Sequence, residues 1–214
     1  MDYKVNRKMS ESDAEEIINN VLVSKEITRN MDFLDRQYQD LLDQRILLFN
    51  DICDSNIVEK FMLPLLMMDN DGSGKPITIY ISTGGGSVYD TLPLCNIIEN
   101  LKTKTNIYVL GYVYSMGSII TMSGFKNPNV KRYCYPFSTA LIHGGSSVID
   151  GTAKQVKDYY KFNERFEERI KEFILSHTNE NFTEDDYTEI DNGFEHYLDS
   201  DEMLKIGLID EIIK

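Results

Sequence analysis

Apolar residues fall in short blocks along the chain, and their spacing alternates between that of a strand and that of a helix. The run Ile46-Leu47-Leu48-Phe49 predicts a strand over 45–49. Over 55–68, Ile57, Val58, Phe61, Met62, Leu65 and Leu66 recur at helical spacing and make a wide apolar face. Ile77-Thr78-Ile79-Tyr80-Ile81 is β-branched and continuous enough for a central strand. The alternation continues with a helix over 88–101, a strand over 106–113, a short helix over 116–124, and strands over 133–135 and 139–142. Repeated β-α-β predicts an α/β fold with a mostly parallel sheet covered by helices.

The ends of the chain read differently. Residues 1–40 are polar and acidic, an N-terminal arm in which Ser12-Asp13-Ala14-Glu15 has the form of a capping box. Ile17, Ile18, Val21 and Leu22 follow it and predict a short helix with one apolar face. Residues 41–214 read as one domain. Asp150 or Thr152 caps a long helix that runs to about Ser176. Such a helix is roughly 35–40 Å long, more than a compact core of this size needs. Part of it is expected to project and pack on another subunit; an ordinary surface helix is the other reading. Asp199 and Glu202 form a capping box for a short helix, Gly207 takes its C′ position, and 208–213 predicts a last strand.

Composition narrows the function classes. Hydrophobic residues make up 42% of the 214 and charged residues 27%, which suits a soluble globular protein with a sizeable core. The formal net charge of −13 argues against nucleic acid and anionic lipid as partners. No apolar run is long enough to span a bilayer. The first residues show no apolar signal segment, so a cytoplasmic protein is expected. Cys53, Cys95 and Cys134 have no metal-like spacing and read as small buried hydrophobes. Asp69-Asn70-Asp71-Gly72-Ser73-Gly74 lacks the ligand order and closing glutamate of a calcium loop. No metal is expected from these spacings.

Chemistry gathers at the strand ends, where α/β sheets bind ligands. Gly84-Gly85-Gly86 follows one predicted strand, Ser115 the next, and His143 a third. A serine, a histidine and a glycine loop are the parts of a serine nucleophile with a general base and an oxyanion hole. Ser115 precedes a helix, so the Met116 N–H is free to hold an oxyanion. Gly86, without a Cβ, supplies the second N–H. Each part also has a plain reading: Ser115 as an N-cap, His143 as a structural histidine, the glycines as a flexible turn. A nucleotide loop would need a following Gly-Lys-Ser/Thr, which is missing. The α/β-hydrolase elbow needs Gly-x-Ser-x-Gly, and the glycine before Ser115 is Gly111, four positions back.

The order and the motifs together resemble the ClpP family of self-compartmentalising serine peptidases, with its ClpP/crotonase-like fold, over about 43–210. The segments 43–49, Tyr80-Ile81-Ser82-Thr83-Gly84-Gly85-Gly86-Ser87-Val88, Gly111 to Gly117 with Ser115-Met116-Gly117, Ile142-His143 and Gly207-Leu208-Ile209-Asp210 carry it. The resemblance implies Ser115 as nucleophile, His143 as base, Gly86 and Met116 as oxyanion donors, and Glu195 in the place of the family's aspartate. Asp191 is a second candidate acid. It further implies a long handle helix that joins stacked heptameric rings of one homo-oligomer, an AAA+ unfoldase partner, unfolded polypeptide as substrate and no organic cofactor. The peptide is expected to lie extended along the edge that begins at Gly86. The sequence departs from the family in Glu195, in Gly144-Gly145 after the histidine where Gln-Pro is usual, and throughout residues 1–40. The first two of these departures motivate an alternative, a non-catalytic ring subunit. A crotonase-like acyl-CoA enzyme is a third reading, and the Ser115 and His143 pair argues against it.

Overall fold

The computed structural model describes residues 33–146 and 148–214. The capping box at Ser12 and the helix after it lie outside the described residues. The chain divides into two units, Met1–Gln44 and Arg45–Lys214. The described part of the first is helix α1 (Phe33–Asp43), on which no residue is buried. The sequence reading had no helix at this place.

The second unit is mixed α/β, as expected. Strands β1 (Ile46–Phe49), β2 (Ile77–Thr83), β3 (Thr105–Tyr114), β4 (Val130–Cys134), β5 (Thr139–Ile142), β6 (His196–Leu198) and β7 (Glu211–Ile212) form one sheet. Its main path runs β1-β2-β3-β4-β7, with β5 paired to β3 and β6 paired to β5. All of these pairings are parallel except β5 with β6. A π-helical turn (Val58–Met62) leads into α2 (Leu63–Asn70), and α3 (Val88–Glu99) and α4 (Met116–Met122) follow β2 and β3. Ile77, Ile79, Ile81, Leu94, Ile98, Ile107, Val109 and Ile120 are fully buried between the sheet and these helices. The β-branched run at 77–81 therefore sits at the centre, with Ile77, Ile79 and Ile81 on the buried face and Thr78 and Tyr80 half-buried on the other.

β3 is bent. Its first half pairs β4, with Val109 opposite Cys134, and its second half pairs β5, with Tyr114 opposite Leu141. Between these halves the register against β2 shifts, so that Ile81 faces Val109 but Thr83 faces Val113. The extra β3 residues include Gly111, and a bulge there re-aims the strand end that carries Ser115.

Helix α5 (Ala153–Ser176) starts at Thr152 with a capping box to Gln155, and of its residues only Ile174 is buried. The predicted long helix is thus present and largely solvent-facing. Helix α6 (Glu184–Asp191) and strand β6 were not expected. α6 is polar, and it forms because Thr183 and Asp186 cap its start while Ile190 is buried beneath it. Helix α7 (Ser200–Lys205) has the Asp199–Glu202 capping box, and Gly207 beyond it has φ +78°. The last strand is shorter than predicted. Only Glu211–Ile212 pair with β4, because Gly207, Leu208 and Asp210 are bound instead by Arg132.

Candidate active site

Ser115 stands between β3 and α4 with φ 54° and ψ −121°, a conformation that L residues rarely adopt. Strain of this kind costs on the order of 1–3 kcal/mol and persists only where surrounding contacts impose it. Those contacts are present. The Ser115 N–H donates to Leu141 O at 2.8 Å. Buried Ser118 holds its hydroxyl 2.7 Å from Val113 O and 2.9 Å from Leu141 O. Leu141 O thus ties the start of α4 to the end of β5, two residues before His143. The Ser115 side chain caps nothing, which sets aside the plain N-cap reading. Met116 is the first residue of α4, so its N–H has no partner within the helix.

The glycine loop reaches the same point. Gly85 has φ +87°, and a Cβ on it would lie 2.6 Å from Tyr114 O and 2.8 Å from both Met116 N and Ser115 Cβ. Backbone therefore packs directly on the serine turn. Gly86, at φ +149°, forms a parallel bridge with Cys53, in which Cys53 donates to Gly85 O and accepts from Ser87 N–H. That pattern takes the carbonyl and N–H on either side of Gly86 and leaves the N–H of Gly86 facing away from Cys53. Gly84 has open space around it.

A cavity of about 310 Å³ adjoins the serine, and Gly86, Ser115, Met116 and His143 all line it. Its far wall comes from the α5 face that carries Tyr159, Asn163, Phe166, Glu167 and Ile170, with Tyr187 of α6. The ring of Tyr89 on α3 stacks on Phe166 at 5.1 Å. This wall was missed in the sequence. Its signal is the spacing 159, 163, 166, 170 and 174 on one helix face, for which the sequence suggests a contact with another subunit or an ordinary surface helix.

The other candidates lie apart. Glu195 is exposed, and its carboxylate accepts the Tyr197 hydroxyl at 2.7 Å. Ile142 pairs with His196, so one further antiparallel step sets Glu195 opposite His143 in register. Asp191 ends α6, whose Ile190 carbonyl lies 3.5 Å from the Cβ position of Gly144. Among the described residues no hydrogen bond or ion pair joins His143 to Ser115, Glu195 or Asp191. The remaining histidines are structural in their contacts. His177 is buried and binds Glu99 at 2.5 Å, and His196 packs edge-on against Phe182. The three cysteines are free and buried. Burial pushes the thiol of Cys134 up to about 11 and raises those of Cys53 and Cys95, so none is a thiolate nucleophile at neutral pH.

Gly86→Ala is a sharp test of the loop. The new Cβ would sit 2.4 Å from Cys53 O, so the loop must shift and carry its N–H off the serine. Loss of one oxyanion donor lowers turnover by roughly 10²–10³. If Gly86 supplies such a donor to Ser115, folded Gly86→Ala should lose a comparable factor in the rate of fluorophosphonate labelling at Ser115, and a rate within threefold of the parent's would exclude that role for Gly86.

The chain matches the family model "Clp protease" over residues 29–214. It is 28% identical over 181 residues to an ATP-dependent Clp protease proteolytic subunit of Carsonella ruddii (strain PV), covering 85% of this chain and 89% of that one. It is 25% identical over 173 residues to an ATP-dependent Clp protease proteolytic subunit 1 of Salinibacter ruber (strain DSM 13855 / M31), covering 81% and 72%. Among the described residues no helix is long and apolar enough to cross a membrane.

Proposed function

Because the chain belongs to the Clp protease family, we propose that it is a serine endopeptidase, the proteolytic subunit of an ATP-dependent protease that degrades unfolded polypeptide inside an oligomeric chamber. The observation that carries this reading is the convergence of a strained Ser115, the first N–H of a helix, the Gly86 N–H and His143 on one cavity. In the reaction, Ser115 Oγ attacks the scissile carbonyl while His143 accepts its proton. The tetrahedral oxyanion lies against the N–H groups of Met116 and Gly86, aided by the positive end of α4. Collapse breaks the C–N bond, and His143 returns the proton to the leaving amine. A water molecule, deprotonated by His143, then attacks the acyl-enzyme and frees Ser115. Substrate lies extended along the open side of Gly86. Glu195 serves as the acid that orients His143, with Asp191 the alternative. The ring assembly, the exposed face of α5 as its contact, and an AAA+ unfoldase as feeding partner belong to the same reading.

A second reading is supported by a specific observation. Ser115 and His143 are not hydrogen-bonded, and the Glu195 carboxylate is engaged by Tyr197. These contacts suit a ring subunit that does not cleave, although unliganded sites often tighten only around substrate. Labelling with a fluorophosphonate, followed by peptide mapping, separates the two. Modification confined to Ser115 is the result expected of the peptidase. A folded, assembled protein that stays unlabelled, alone and in mixed rings with an active subunit, selects the non-catalytic ring subunit.

A further inference from the structure

The cavity beside Ser115 combines an apolar lining with an exposed carboxylate. Ile119, Ile142 and Ile170 line it, Glu167 on its wall is exposed, and among the described residues no lysine or arginine lines it. Glu167 stands on the α5 wall, one turn after Asn163. The Asn163 amide donates to Glu167 Oε1 at 2.6 Å, which holds the carboxylate in place and leaves Oε2 without that contact. Among the described residues no lysine, arginine or histidine forms an ion pair with Glu167. Lys171, on the same helix, is taken by Glu184 at 2.8 Å. The surroundings are correspondingly negative. Burial raises the Tyr187 hydroxyl, and Asp191 and Glu167 push it further up, with Lys171 only partly opposing them.

We propose that Glu167 is a specificity-determining residue, and that the cavity takes a side chain with a long aliphatic stem and a cationic tip, lysine above all. The inference rests on the peptidase reading for its place in the reaction: the cavity adjoins the nucleophile, so it receives the side chain on the acyl side of the cut. The stem packs on the isoleucines, where burying each methylene favours binding. The ammonium reaches the free oxygen of exposed Glu167, where its hydration is only partly lost. A cavity of about 310 Å³ has room for such a chain.

The test uses binding, so that it does not depend on cleavage. Two fluorescein-labelled product peptides differ only in the C-terminal residue, lysine in one and norleucine in the other, which has the same stem without the amine. Their affinities for the assembled Ser115→Ala protein are compared by fluorescence anisotropy. Lysine is expected to bind roughly fivefold more tightly, as a partly exposed ion pair supplies. Glu167→Gln in the same background is expected to bring the ratio to about one, and raising the salt to shrink it. Equal or tighter binding of norleucine, a ratio that survives Glu167→Gln, or no binding of either peptide would overturn the proposal. If lysine is selected but the Ser115 protein cleaves nothing, the pocket stands and the peptidase reading falls. If peptides are cleaved without the lysine preference, the reverse holds.

Discussion

Ser115→Ala is expected to reduce peptide cleavage by a factor on the order of 10⁶ while the protein stays folded and assembled. The size follows from losing the nucleophile: the cavity's other serines, Ser87 and Ser146, lie off the strained turn, and Ser87 Oγ caps α3 by accepting the Asp90 N–H. Buried Ser118 spends its hydroxyl on Val113 O and Leu141 O, and all three cysteines are buried and protonated. The fold should survive, because the turn is held by main-chain bonds and by Ser118, and the Ser115 side chain makes no cap. Hydrolysis of a fluorogenic peptide, read beside circular dichroism and sedimentation, tests both halves. Cleavage equal to the parent's would remove Ser115 as nucleophile. A variant that unfolds would instead assign the hydroxyl a structural task that the contacts do not show.

The largest stability effect is expected at Arg132, far from the reacting atoms. The residue is 1% exposed. The guanidinium meets Asp210 at 2.6 Å and 3.2 Å through two nitrogens, and donates to Gly207 O at 2.8 Å and Leu208 O at 3.1 Å. It also lies 5.2 Å from the ring centre of Phe125. The Asp210 carboxylate accepts the Arg132 N–H as well, at 2.8 Å. One side chain thus fastens the segment after α7 to β4 and sets where β7 begins. Arg132→Met keeps the volume but strands a half-buried carboxylate and two carbonyls. Removing one partner of such a pair costs about 3–5 kcal/mol. Urea unfolding followed by far-UV circular dichroism measures it. Arg132→Lys should recover little, since an ammonium cannot span the same fork. A loss below about 1 kcal/mol in Arg132→Met would place this pair among ordinary surface ion pairs.

Arg132 also shows where a linear reading fails. The sequence predicts a strand only from Tyr133, yet the strand begins at Val130 and Arg132 within it is among the most buried large side chains. Burial of a charge depends on a partner 78 residues away, and nothing local announces it. The same reason hid β6, which exists only because β5 offers it an edge. It hid the place of Phe166 and Ile170 on the cavity wall too. Their helical spacing was visible, but which surface they face is decided by how α5 meets α3, through Tyr89 on Phe166.

What the sequence determined by itself is local. The β-branched run at 77–81, the capping pairs at Thr152 and Asp199, the C′ glycine at 207 and the glycines before Ser87 state their conformations through sterics and nearby hydrogen bonds. The motif order added the family, and the family model agrees with it. Distances across the site were a different matter. The bulge at Gly111 turns the end of β3 toward β5, and Leu141 O then ties Ser115 to the strand that carries His143. Tertiary structure alone decided that Gly86, Met116, Ser115 and His143 share one cavity, and that the Glu195 carboxylate accepts the Tyr197 hydroxyl. The physical reason is that torsional preferences act over a few residues, whereas a site is the product of sheet register and helix packing, which sum over the whole fold.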